Sequence, residues 1–128
     1  MEIPKGHQVV MPYLMVKGAS KFIDFAKKVF EAKLTTNMHK LREDKTTVMH
    51  SEITIGGSVI MFSDATEQWP VQTANLFVYV DNADATYKKA IESGATTVIE
   101  LSNQDYGRSC GVTDPLGNVW WITSVNKR

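Results

Sequence analysis

The chain has 128 residues, enough for one domain or two small repeated units with a core that needs no covalent staples. Fourteen basic and fourteen acidic residues cancel, which argues against a nucleic-acid or anionic-membrane surface as the main partner. No apolar run approaches the ~20 residues that span a bilayer, MEIPKGHQVV lacks the apolar stretch of a signal peptide, and a single cysteine, Cys110, excludes an internal disulfide and a multi-cysteine zinc site; a cytoplasmic protein without nucleic-acid or membrane partners is expected.

Residues 8–16, QVVMPYLMV, read as a strand with an irregular or edge start at Pro12. In 18–31, Phe22, Phe25, Ala26, Val29 and Phe30 recur at helical spacing, with Ser20 placed for the N-cap or first turn. Residues 34–42 and 46–55 read as strands around the polar turn Arg42-Glu43-Asp44-Lys45, and Gly56-Gly57 turns the chain into a further strand, SVIMFS, at 58–63. The stretch 64–73 has no periodicity and contains Pro70, so it reads as a connector. The order then restarts. NLFVYV (75–80) is a strand, 81–94 a helix with Asp81 or Asn82 near its N-cap and Gly94 at its end, and ATTVIEL (95–101) a strand. Residues 102–109 read as a loop or an irregular strand entry, and CGVTD and NVWWITS form a hairpin about Pro115-Leu116-Gly117.

The chain therefore contains one βαβββ motif twice: 8–63, a connector at 64–73, and 74–125, within a single domain of residues 1–128. The fold class is α+β, with eight mostly antiparallel strands forming a curved cleft and one helix per repeat. Each helix covers one face of its sheet and leaves the other for a partner or ligand. Side chains alternate between faces along a strand. Met11, Tyr13 and Met15, then Val59, Met61 and Ser63, then Asn75, Phe77 and Tyr79, then Val119, Trp121 and Thr123 fall on the helix-free face. Leu14, Val16, Ile60, Phe62, Leu76, Val78, Val80, Trp120 and Ile122 fall on the core face. The adjacent tryptophans of DPLGNVWWITS thus occupy different environments, Trp120 in the core and Trp121 in the cleft.

The doubled motif, VDNADATYKKAIESGA in the second helix and the terminal DPLGN-strand resemble the vicinal oxygen chelate superfamily, which holds glyoxalase, bleomycin-resistance proteins and extradiol dioxygenases. HSE- and VIMFSD-type strands and DPLGNVWWIT resemble a branch labelled glyoxalase-like or demethylubiquinone-methyltransferase-like. The resemblance implies a homodimer, with the repeats paired within a chain or swapped between chains. It also implies a divalent metal held by one side chain from the first and last strand of each half, usually His or Glu. The matching positions are Met11, Met61, Asn75 and Trp121. None is a His or carboxylate, so no cofactor and no metal is expected. Relatives that sequester bleomycin use an acidic groove for a cationic drug, which does not match a neutral chain.

Three readings follow. The first is a binding protein that takes an apolar or aromatic small molecule between Met11, Tyr13, Met61, Asn75, Phe77, Tyr79 and Trp121 in a metal-free cleft. The second is a metal-dependent lyase, isomerase or dioxygenase. The third is a metal-free enzyme in which His50 and Glu52, roughly 7 Å apart along one strand, form an acid–base couple; against it stands a partly solvated sheet face with ordinary hydrogen bonds. Arg108, in a cluster with Asp105 and Tyr106, would clamp a carboxylate or phosphate, or else pair with Asp105. Cys110 reads as a small hydrophobe rather than a nucleophile. Trp69 reads equally as a cleft lid or a dimer contact. His7 and His39 lack metal-ligand spacing and read as surface residues.

Overall fold

The computed structural model describes residues 1–125. The first half runs β1 (Tyr13–Val16), α1 (Ala19–Phe30), β2 (Lys33–Leu34), β3 (Lys40–Leu41), β4 (Val48–Ile55) and β5 (Ser58–Asp64). The second runs β6 (Asn75–Tyr79), α2 (Ala83–Glu92), β7 (Thr96–Gln104), β8 (Gly107–Thr113) and β9 (Val119–Ser124). One sheet has the order β1-β5-β4-β2, with β3 also on β4; the other has β6-β9-β8-β7. In each, the strand before the helix lies parallel to the last strand, β1 on β5 and β6 on β9. The α+β architecture of two repeats is the expected one. The described strands number nine rather than eight because 34–42 is broken by a 3-10 turn at Thr36–Met38 into two short pieces. The strand expected from residue 8 begins only at Tyr13, and of the stretch 102–109, read as a loop or an irregular strand entry, β7 takes the part through Gln104 and β8 the part from Gly107.

The helices follow from patterning. α1 buries Phe22, Ile23, Phe25, Ala26, Val29 and Phe30 and turns Asp24, Lys27 and Lys28 to solvent. Each fully buried Phe stabilises by about 1.5–3 kcal/mol. The cap position of α1 is Gly18, which has no side chain to cap with, so the Asp64 carboxylate does it from β5. Its Oδ1 accepts from the Gly18 and Ala19 N–H at 3.1 and 2.8 Å, and its Oδ2 from the Val48 N–H at 2.7 Å. α2 is capped by Asn82, which accepts from the Ala85 N–H, and by the Ser124 hydroxyl, which accepts from the Ala83 N–H. Ser124 ends β9 as Asp64 ends β5, so the same job is done at the same place in each repeat.

The halves join through their helices. α1 packs on α2, and the Phe30 ring lies 4.4 Å, centre to centre, from Trp120. The turn Asp114-Pro115-Leu116-Gly117-Asn118 is held by the buried Asp114 carboxylate, which accepts from the Leu116 and Asn118 N–H, the Asn118 amide and the Trp120 indole N–H. Asn118 in turn accepts from the Ala74 N–H and ties the turn to the start of β6. No described strand pair joins the two sheets; the β1 edge instead bridges from Met15 to Gln72 in the connector. Each sheet therefore keeps its own helix-free face, here called its open face.

Candidate functional site

The open face of the first sheet carries a chain of hydrogen bonds. The β4–β5 register sets Glu52 opposite Met61, and the β1–β5 register sets Tyr13 beside the same Met61. Tyr13 Oη lies 3.0 Å from His50 Nδ1, His50 Nε2 lies 3.2 Å from Glu52 Oε2, and Glu52 Oε1 lies 2.8 Å from His7 Nε2. Glu52 is only 2% exposed. A buried carboxylate needs donors, and two imidazoles supply them. With Glu52 ionised, a neutral His50 carries its proton on Nε2. Its Nδ1 is then an acceptor, and Tyr13 donates to it.

His7 reaches Glu52 because the segment before β1 forms an arm that touches this face at His7 and Gln8, with Val9 and Val10 left exposed. Gln8 fixes the arm by donating to the Val59 carbonyl at 2.8 Å and accepting from its N–H at 3.4 Å. His7 is thus half-buried and bonded, not the free surface residue its spacing suggested. The same correction holds for His39, whose Nδ1 is 2.8 Å from the hydroxyl of buried Ser51. Both were missed because the partner lies across the fold, where local pattern carries no signal.

The second sheet is different. On its open face Asn75, Phe77 and Tyr79 lie in register with Val119, Trp121 and Thr123. Phe77 and Tyr79 are 52% and 68% exposed and meet edge to face at 5.2 Å, with Tyr106 6.3 Å from Phe77. Trp121 lies flat over Gly111: a Cβ added there would fall 2.5 Å from its ring. Trp121 donates its indole N–H to Asn75 Oδ1 at 3.1 Å.

Two hollows adjoin these faces. A groove of about 810 Å³ runs between the halves, with Gln8 and Val10 of the arm on one side, Phe77 and Tyr79 on the other, and Phe30 and Trp120 among its lining. A cavity of about 420 Å³ lies beside Tyr13, lined also by Met15, Arg42, Met49, Ser63 and Trp69.

Other candidates lie elsewhere. Arg108 does not reach an open face. Its guanidinium holds Asp84 of α2 through two bonds of 2.8 and 3.1 Å, and the pairing lowers the Asp84 carboxyl below its ordinary value. Its partner is therefore Asp84 rather than Asp105. Cys110 is buried beside Ile122, and burial pushes its thiol up to about 11, which leaves it protonated and inert.

The metal positions can be tested on their chemistry. Met11 and Met61 offer thioethers, Trp121 an indole that does not ligate, and Asn75 a carbonyl oxygen already engaged by that indole. These residues do not fit the superfamily's divalent ion. Among the described residues, no three His, Cys, Asp or Glu side chains are grouped as a metal would require.

Residues 6–122 match the Glyoxalase/Bleomycin resistance protein/Dioxygenase superfamily, and the chain belongs to it. An uncharacterized protein of Mycobacterium bovis is 28% identical over 85% of this chain and 78% of its own length. TnmS3, an antibiotic binding protein from Streptomyces sp. CB03234, superposes with a TM-score of 0.72 at 19% identity over 98% of this chain and 99% of its own. TioX from Micromonospora sp. ML1 superposes with a TM-score of 0.68 at 22% identity, covering 94% and 98%. At these identities the structures speak for the fold alone.

Proposed function

We propose that this superfamily member is a metal-free protein that binds a small apolar or aromatic molecule on its open faces, as a homodimer that brings a further sheet against each. The observation that carries this reading is the aromatic surface of Phe77, Tyr79 and Tyr106, left exposed beside half-buried Trp121, with Phe77 and Tyr79 on the wall of a groove of about 810 Å³. Rings of that size seldom stay in water in such a cluster without an occupant. The groove volume lies within the range that small-molecule sites use. Antibiotic binding by TnmS3 is a use of this fold of the same kind.

Two faces of one chain that do not close on each other supply the reason for a dimer. A second copy offers an open face of either type, and burying Phe77 and Tyr79 against it is favourable. The test is saturable quenching of tryptophan emission by quinoline, a planar aromatic probe. Trp121→Ala removes the quenching and keeps the fold. A titration that does not saturate, or one unchanged in Trp121→Ala, overturns the reading.

A further inference from the structure

We propose that Tyr13, backed by His50, Glu52 and His7, is a general base in the cavity it shares with Arg42 and Trp69, and that the cavity takes a small aromatic or apolar carboxylate whose acidic proton it removes. This rests on the small-molecule reading above and adds a ligand class and a reaction to it. Four observations place the parts.

The first is the direction of the relay. Tyr13 Oη, His50 and Glu52 form one line of contacts of 3.0 and 3.2 Å, and in the His50 tautomer with its proton on Nε2 the hydroxyl donates to Nδ1 and turns its lone pairs to the cavity. Tyr13 is exposed on that side, whereas Glu52 is buried at the far end. This is the arrangement of an activated hydroxyl, an imidazole and an orienting carboxylate. The second is that His7 completes it. With Oε1 held by the arm, Oε2 stays turned to His50.

The third is Arg42. It donates to the Asp64 backbone carbonyl at 2.8 Å and, among the described residues, forms no ion pair. A half-buried guanidinium with donors to spare on a cavity wall suits a carboxylate. The fourth is the rest of the wall. Met15, Met49 and Trp69 supply apolar surface for a ring, Ser63, Thr66 and Gln68 supply polar groups beside Arg42, and about 420 Å³ suits a molecule of small size.

The step balances within the ligand and the relay. For a 2-oxo acid, Tyr13 Oη takes a proton from the carbon next to the ketone, and that C–H bond breaks. The tyrosine's own proton passes to His50 Nδ1, and the imidazolium formed lies against Glu52. The electron pair moves onto the ketone oxygen. That oxygen takes a proton back from Tyr13 as His50 returns its own. The product is the enol, no electrons leave, and the relay ends as it began.

Phenylpyruvate is the probe, because it has a carboxylate, an aromatic ring and an acidic C–H, and its enol absorbs in the ultraviolet. Binding is read by thermal shift and keto–enol exchange by absorbance. The wild type binds phenylpyruvate and speeds exchange. Tyr13→Phe still binds and loses about 100-fold or more of the exchange rate, the scale of general-base catalysis. Glu52→Gln, which keeps the shape but accepts from one imidazole fewer, loses rate while still binding phenylpyruvate, and Arg42→Lys raises KM more than it lowers kcat. Binding without exchange, or exchange unchanged in Tyr13→Phe, overturns the proton step and leaves the binding reading standing. No binding of phenylpyruvate by a protein whose emission quinoline quenches overturns the cavity assignment alone.

Discussion

The two sheets are built on one plan and finished in opposite chemistries. On the first, the open face is polar at its centre: Tyr13, His50, Glu52 and His7 satisfy one another, and an arm touches the face at His7 and Gln8. On the second, the face is aromatic and bare, with Phe77, Tyr79 and Trp121 in adjacent positions. The backbone frame is shared down to the parallel outer strand and the helix capped from the end of the last strand. The frame is therefore shared, and what distinguishes the two halves is the chemistry of their open faces. The adjacent tryptophans show the division within a single strand. Trp120 serves the frame and Trp121 serves the face.

The largest expected effect separates those two roles. Trp120 is 1% exposed, stacks on Phe30 and donates to Asp114. Trp120→Ala should cost about 3–5 kcal/mol in chemical denaturation, the range for deleting a buried large aromatic. Trp121→Ala should cost less, about 1–2 kcal/mol, because its half-buried ring packs only on β8, while abolishing quinoline binding. Equal losses would erase the distinction between frame and face. The caps come next. Asp64→Ala removes a charged acceptor from three backbone N–H groups and should cost about 2–3 kcal/mol, whereas Ser124→Ala removes one neutral bond and should cost about 1 kcal/mol. Similar values would mean that α2 depends on Ser124 as much as α1 depends on Asp64. Gly111→Ala should cost about 1–3 kcal/mol by overpacking and shift Trp121 emission as the ring is lifted.

What could be read from the sequence was whatever depends on neighbours in the chain. Alternation placed Trp120 inside and Trp121 outside, put Tyr13 and Met61 on the helix-free face and set His50 and Glu52 together on one face of their own strand; that these are the same face comes only from the strand registers. Helical spacing found the buried stripe of α1. The relay's far end was not legible. His7 and Glu52 are 45 residues apart, and nothing in MEIPKGHQVV signals that an arm will fold over a sheet. Arg108 faces Asp84 rather than a ligand for a similar reason: 24 residues separate them, and only the packing of α2 beside β8 brings them together. Residues 34–42 alternate like a strand, yet a 3-10 turn divides them, because the backbone of Thr35 bonds to the Glu52 carbonyl and those of Met38 and His39 close the turn.

The smallest effects probe what each face refuses. Cys110 has its thiol raised to about 11 by burial. In the unfolded chain it ionises near its ordinary value of about 8.5. The folded protein thus binds this proton more tightly, so the stabilisation from this group is complete below about pH 8 and is lost as the pH rises through 11. A thiol reagent at pH 8 should label Cys110 only as fast as the protein opens. Metal is the last probe and should do least. A divalent ion bound to the native state alone at 100 times its Kd would add about 2.7 kcal/mol of stability. Mn, Ni, Zn and Fe(II) should instead leave the melting temperature in place, because two thioethers, an indole and an amide oxygen already bonded to that indole stand at the superfamily's four positions. Upward movement in the wild type that Glu52→Gln abolishes would show that His7, His50 and Glu52 close around an ion. The polar face would then be a metal centre, and the proton relay assigned to it would fall.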